Sequence, residues 1–361
     1  MAIDADTLQK LHSEAEVPEL DLSWLNLGEE SHWGIRAKPG KRGLTLDEIE
    51  IGPYGEVPEH TDNRSLKPRG AFARPDAPRL PATYTNSADT YSANTRLLYE
   101  EGVQRQWSSA TDIPWESIEP LPDDMERAMC QLCTFLTEVE FIAGDTPAQW
   151  LPKINSEHHE VKLFLLSQIM DEARHLDVFR KRALANGGGL LSSLPQDGLR
   201  VIIEAKDFTE MSAIMHVAAE GFVQSLFRMG EYIGQNEAEK RIFRLCGQDE
   251  SRHLGFGVMH LKHVIDTEPW RREEIHHYLD KVELTLAPDP TDDAGSFVLF
   301  EALAILMGGG VNNFDKGIQM SLAVQRKRVN EYMHRLTVVG LGDRRDRMYP
   351  MLRQYLDPPK N

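Results

Sequence analysis

Three cysteines in 361 residues cannot build a disulfide framework, so the composition fits a reducing, cytoplasmic setting. They also exclude a four-cysteine cluster pattern. Positive charge is scarce. Lys and Arg number 40 against 57 Asp and Glu, and the resulting charge of −17 repels nucleic acid and anionic membrane surfaces. Long apolar runs are missing too: the best, Phe297 to Met307, is interrupted by Glu301, too short for a membrane span. The opening Met1-Ala2-Ile3-Asp4-Ala5-Asp6 has no basic-then-apolar signal. No glycine-rich nucleotide or flavin fingerprint occurs, and almost nothing alternates with strand period. Cys130 and Cys133 form a CxxC in a helical stretch without a second pair, which reads as buried free thiols.

What is present is helix-forming sequence behind an irregular start. Residues 1–84 are rich in Pro, Gly and charge, as in Lys38-Pro39-Gly40-Lys41-Arg42-Gly43, and read as an extended N-terminal arm. Residues 85–361 read as one all-α domain. Helices are expected over 87–106, 123–143, 156–185, 197–233, 237–264, 269–286, 294–341 and 343–355. Gly144-Asp145-Thr146-Pro147 should stop the second of these, and Gly308-Gly309-Gly310 should break the seventh. Trp107 and Trp115 flank a turn and read as a structural clamp over the bundle end.

The chemistry lies in a repeated pentapeptide. Asp171-Glu172-Ala173-Arg174-His175 and Asp249-Glu250-Ser251-Arg252-His253 are both Asp-Glu-x-Arg-His, so Glu and His fall three residues apart on one helix face. A hard carboxylate beside an imidazole suits iron or manganese. Two such elements, plus one Glu from each of two other helices, make the four-helix di-metal carboxylate site. Upstream of the first copy, an apolar run carries Glu138 and Glu140, of which Glu140 is in step with Met129, Cys133 and Leu136. Upstream of the second copy lies Glu220. Glu140 precedes Glu172 by 32 residues and Glu220 precedes Glu250 by 30, the matched spacing of a duplicated helix pair. Two salt-bridged helices without metal are the competing reading, but four inward carboxylates with no cation would repel one another and lose hydration. His158 and His159 are expected in solvent. His216, one turn before Glu220, is a candidate extra ligand or supporting group.

These residues resemble the ferritin-like di-iron oxygenases, most closely the catalytic subunit of bacterial multicomponent monooxygenases. The resemblance rests on Glu140-Phe141-Ile142-Ala143, Ala219-Glu220-Gly221-Phe222 and the two Asp-Glu-x-Arg-His motifs, and it covers roughly residues 100–265. It selects Glu140 over Glu138. Two departures stand out: Gln224 replaces a Thr that the monooxygenases carry, and Phe179 stands where the ribonucleotide reductase small subunit often has its radical Tyr.

The resemblance implies a ferritin-like helical bundle, like the ribonucleotide reductase small subunit, with extra helices. It implies two irons, or a Mn–Fe pair, held by Glu140, Glu172, His175, Glu220, Glu250 and His253. Glu172 and Glu250 would bridge, while Glu140 and Glu220 would be terminal and mobile. Asp171 and Asp249 can accept the remaining ring N–H of a ligand His, and Arg174 and Arg252 offset the acidic excess. A mainly apolar substrate pocket is expected from Leu136, Ala143, Phe179, Met215 and Ala219, with Gln224 as a catalytic amide. The expected activity is O2-dependent oxidation of a small apolar or aromatic substrate, hydroxylation, epoxidation or N-oxygenation among the options. Electrons would come from a reductase or ferredoxin, and the chain is expected to form a homodimer. A radical-generating small subunit, or a non-catalytic partner subunit, is the alternative.

Overall fold

The computed structural model describes residues 3–15, 21–25, 35–62, 66–71, 76, 83–193, 197–286 and 296–358. The chain divides into two units, 1–38 and 39–361. In the first, helix α1 (Ala5–Glu14) starts at Asp4, whose side chain accepts from the Thr7 amide. The first unit also holds a 3-10 turn, Ser23–Leu25, and the other described elements lie in the second. Among the described residues it has only isolated β-bridges and no named strand.

Four long elements set the architecture: α4 (Asp123–Ala148), α5 (His159–Ala185), α8 (Glu220–Arg228) with the segment before it, and α10 (Glu237–Thr267). Each begins or ends in one of two apolar clusters and crosses to the other. Met129 and Leu136 of α4, Phe179 of α5, Phe227 of α8 and Phe243 of α10 fill one cluster. Ala143, Phe164, Met215 and Phe256 fill the other. Glu140, Glu172, Glu220 and Glu250, one from each element, lie along the chain between residues of the two clusters, so this charged layer has apolar packing on both sides.

Chain direction follows from the same residues. Helix α4 runs from the Phe179 cluster to the Phe164 cluster, and α5 runs back after a short turn. The strand of helix through Met215 to Phe227 again runs the way α5 does, and α10 returns. Two helical hairpins are therefore joined by one long crossover, residues 186–207, as in ferritin-like bundles. Small helices α2 (Leu46–Ile49) and α3 (Thr95–Gln104) precede the bundle. The elements α6 (Asp197–Ile203), α7 (Phe208–Met211), α9 (Gly230–Ile233) and α11 (Arg272–Leu286) surround it, with α12 (Ser296–Gly308), α13 (Phe314–Val339), α14 (Arg344–Arg347) and α15 (Pro350–Arg353) after them.

Two boundaries differ from expectation, while the break expected at Gly308-Gly309-Gly310 is present. Gly144 does not end α4: it lies inside the helix facing α5, where an added Cβ would make ordinary contact at 3.7 Å with that of Glu172. Pro147 lies in the last turn, and the Gln149 amide closes that turn onto the Thr146 and Pro147 carbonyls. The single helix expected over 197–233 is broken. Asp207 caps a new start by accepting from the Glu210 amide, and Ser212–Ala219 then winds as a π-helix into α8. Phe314–Val339 is separated from α12 at Gly309 and Gly310, both at positive φ. No single described helix is long and apolar enough to cross a membrane, although the bent pair Phe297–Gly308 and Val311–Val339 passes by length and composition.

Residues 39–84, read as an arm, contribute a buried cation to the second unit. Arg69 donates to both Glu160 oxygens at 2.6 and 3.0 Å and to Glu50 at 2.7 Å.

Candidate metal centre

The 3.6-residue period places Glu172 and His175 together on α5, and Glu250 and His253 together on α10. Glu140 comes from the middle of α4, and Glu220 opens α8 where the π-helix ends. None of the six is more than 4% exposed, so water does not reach them freely. Their ligand-type atoms form two overlapping groups, each within 4.8 Å: Glu140, Glu172, His175 and Glu250, and Glu172, Glu220, Glu250 and His253. Glu172 and Glu250 belong to both. Glu138, the other carboxylate on this stretch of α4, is half-buried and outside both groups.

Both imidazoles point Nδ1 inward. His175 Nδ1 lies 3.1 Å from Glu172 and 3.2 Å from Glu250. His253 Nδ1 lies 3.0 Å from Glu172 and 3.4 Å from Glu250. Both Nε2 atoms point outward, and the contacts cross between the repeats. His175 Nε2 meets Asp249 at 3.2 Å, and His253 Nε2 meets Asp171 at 3.2 Å. Each motif therefore orients the imidazole of the other. Arg252 spans the aspartates at 2.8 Å to Asp171 and 2.5 Å to Asp249, and Arg174 also contacts both. Trp107 donates from Nε1 to Asp249 at 2.7 Å, and the Arg174 guanidinium sits 5.2 Å over its ring. Trp107 is thus tied to the centre, a role its position in a turn did not reveal.

The electrostatics describe a site built for positive charge. Burial, reinforced by Glu172 and Glu250, pushes the Glu140 carboxyl well above its usual range against the pull of His175. Burial likewise pushes Glu220 up, with Glu250, Glu172 and Glu140 adding to it and His253 opposing. Burial alone would raise Glu172, but His253 and His175 outweigh it and hold that carboxyl low. Burial opposes protonation of both imidazoles, yet Cys246, Asp249 and Glu140 around His175, and Glu172, Asp171 and Glu250 around His253, push them well above their usual range. Glu140 Oε1, Glu172 Oε1, Glu220 Oε2, Glu250 Oε2 and His253 Nδ1 are buried without a hydrogen-bond partner. Such oxygens and an imidazole nitrogen are the donor set that iron or manganese takes, so the residues fit two such ions.

Beside the carboxylates lies a cavity of about 20 Å³, lined by Val139, Glu140, Ala143, Ile202, Met215, Ala219, Glu220, Val223 and Glu250. The structure brings Ala143, Met215 and Ala219 to it, together with Ile202 and Val223, which sequence reasoning missed. Leu136 and Phe179 are elsewhere: both are packed in the apolar cluster with Phe227 and Phe243. Gln224 is a correction as well. Val223 takes the cavity side of α8, and Gln224 turns to α10 and α13, donating to Ser251 Oγ at 3.2 Å and accepting from Arg335 at 3.3 Å.

His158 and His159 also depart from expectation. His158 is buried, and half-buried His159 lies 2.6 Å from Glu50. The cluster Glu50, His159 and Glu160 already surrounds a cation, the Arg69 guanidinium, and is not a second metal centre.

Fold and site together define a ferritin-like bundle with a buried carboxylate–histidine cluster able to hold metal. No family model matches the chain, and no curated protein matches it. Among solved structures, it is similar to variants of an R2-like ligand-binding oxidase. One, aerobically reconstituted with a Mn/Fe cofactor, is 15% identical, with 67% of this chain and 92% of that chain covered at a TM-score of 0.51. Another, aerobically reconstituted with an Fe/Fe cofactor, is 15% identical over the same shares at a TM-score of 0.50. The likeness shows an all-α, ferritin-like fold of the R2 type. It does not single out the multicomponent monooxygenase subunit, which the motifs alone resemble.

Proposed function

We propose that the protein is a non-haem di-metal oxidoreductase that activates O2 to oxidise a small apolar or aromatic substrate with externally supplied electrons. The observation that carries this reading is the convergence of four buried carboxylates and two imidazoles, with five of their ligand-type atoms lacking a hydrogen-bond partner. Glu140 and His175 would hold one ion, Glu220 and His253 the other, with Glu172 and Glu250 shared. Held by these residues, two redox-active ions would supply the electron-transfer chemistry that reduction of O2 requires. Fe–Fe and Mn–Fe pairs are both within the chemistry of this donor set.

The protein's own residues do the rest. Asp249 and Asp171 hold His175 and His253 with Nδ1 inward, which fixes the tautomer. The apolar clusters on either side exclude water. The cavity has room for about one O2 or water. Its carboxylate wall faces an apolar wall of Val139, Ile202, Met215 and Val223, so an organic substrate enters by displacing those side chains and is selected for low polarity. Phe179 stands among other phenylalanines in the apolar cluster, where a radical-storing tyrosine would need a proton acceptor. This favours oxidation of a bound substrate over storage of a radical, and a separate reductase or ferredoxin as donor.

The test is metal analysis of protein grown with iron and manganese, followed by O2 uptake after anaerobic reduction. About two ions per chain and O2 consumption that rises with an apolar substrate are expected. Folded protein that binds no metal would overturn the reading.

A further inference from the structure

Glu220 is held by a chain of hydrogen bonds that reaches away from the metal centre. Gln168, on α5 one turn before Glu172, donates from Nε2 to Glu220 Oε1 at 2.8 Å. Its Oε1 lies 3.1 Å from His216 Nε2, and His216 Nδ1 lies 3.1 Å from Ser212 Oγ. Gln168, His216 and Ser212 are all fully buried. The chain has one direction. A carboxylate oxygen accepts, so the Gln168 amide turns its NH2 to Glu220 and its oxygen to His216. His216 must then carry its proton on Nε2 and accept from the Ser212 hydroxyl at Nδ1. Burial keeps the imidazole neutral, with its pKa down at about 3.

The fold is shaped around this chain. Ser212 and His216 both lie in the π-helix, and Gly257 of α10 faces it so closely that a Cβ there would sit 2.4 Å from the His216 Cβ. The Phe256 ring meets His216 edge-on at 5.4 Å. The outcome at Glu220 is asymmetric: Oε1 is tied to Gln168, and Oε2 has no partner. Glu140 is held differently, with Oε1 unpaired and Oε2 3.7 Å from His175 Nδ1.

We propose that Gln168 is a positioning residue that fixes Glu220 with one oxygen tied and the other free for metal, and that His216 sets the orientation of the Gln168 amide. The cluster around His253 is therefore pre-organised and fills before the cluster around His175. This rests on the di-metal reading above, and it replaces, for Glu220, the expectation of a mobile terminal ligand.

The experiment is stepwise addition of Co(II) to metal-free, full-length protein, followed by absorbance and calorimetry, with denaturant unfolding of the metal-free protein as a control. Wild type is expected to bind in two steps. Gln168→Met keeps the length and removes the donor, and should weaken the first step by about 10–100-fold while sparing the second. Glu140→Gln should weaken the second step instead. His216→Leu frees the amide to flip and should repeat the Gln168→Met result, and His216→Gln, which returns an N–H near the lost Nε2–H, should restore the first step. Equal weakening of both steps, no change in either, or identical behaviour of the two His216 variants overturns the proposal. If Gln168→Met does not fold, the His216 pair decides. Wild type that takes up no Co(II) overturns this proposal and the di-metal reading together. Unaltered two-step binding in Gln168→Met removes this one alone.

Discussion

Replacing Asp249 with Asn tests the crossed contacts most directly. The carboxylate accepts from Trp107 at 2.7 Å and Arg252 at 2.5 Å, and contacts Arg174 and His175 Nε2 at 3.2 Å each. Asn keeps the shape, removes the charge and leaves two buried guanidinium groups facing one aspartate. Breaking one side of a buried charge network costs on the order of 3–5 kcal/mol, so metal-free Asp249→Asn should unfold at clearly lower denaturant. The geometry adds a sharper requirement. In a double-mutant cycle, Asp249→Asn should couple with His175→Ala, from the other motif, by about 1.5–3 kcal/mol, the size of a hydrogen bond to a charged group. Coupling with His253→Ala, from its own motif, should be smaller, because that imidazole meets Asp171. The assay is urea unfolding of the four proteins of each cycle. An Asp249–His253 coupling as large as Asp249–His175 would refute the crossed arrangement.

Two further outcomes follow from burial. Glu140→Ala should abolish binding of one ion, whereas Glu138→Ala, outside both ligand groups, should leave metal content unchanged on elemental analysis. His260 is fully buried, contacts Tyr91 O at 2.8 Å and Thr209 Oγ1 at 3.2 Å, and has its pKa pushed down to about 4 chiefly by burial. The unfolded chain, with an ordinary imidazole, binds the proton more readily between about pH 6.5 and 4, so stability is present above pH 6.5 and falls as pH drops through that window. The loss reaches about 3 kcal/mol at 1.36 kcal/mol per unit, and His260→Gln should flatten the slope in pH-dependent unfolding.

The parts legible in the sequence were those governed by a short repeat distance. Glu172 with His175 and Glu250 with His253 needed only helical period and a repeated motif, and Glu140 and Glu220 needed a stripe and a matched spacing. The π-helix was not legible, because it depends on α10 lying against it at Gly257, a contact between residues about 40 apart. With the turn wound differently, His216 reaches across to Gln168 instead of standing over Glu220 as a ligand. Gln168 did leave a signal: it precedes Glu172 by four residues, as His216 precedes Glu220. Gln224 was misplaced for the converse reason. Helical spacing brings it near the face of Glu220, but Ser251 and Arg335 capture the amide, and no local pattern announces partners on two other helices.

Each ligand group draws on both helical hairpins. The His175 group needs Glu250 from α10, and the His253 group needs Glu172 from α5. The crossed aspartates add a second dependence of the same kind. A ribosome that has delivered residues through Ala185 has released Glu140, Glu172 and His175, yet neither complete ligand group. On the di-metal reading, a half-made chain therefore cannot select its metal, and the choice waits until the turns of α10 that carry Glu250 and His253 have docked. Metal identity would then be set by a finished cage and by what the cell supplies at that moment, not by whichever ion first meets the nascent chain.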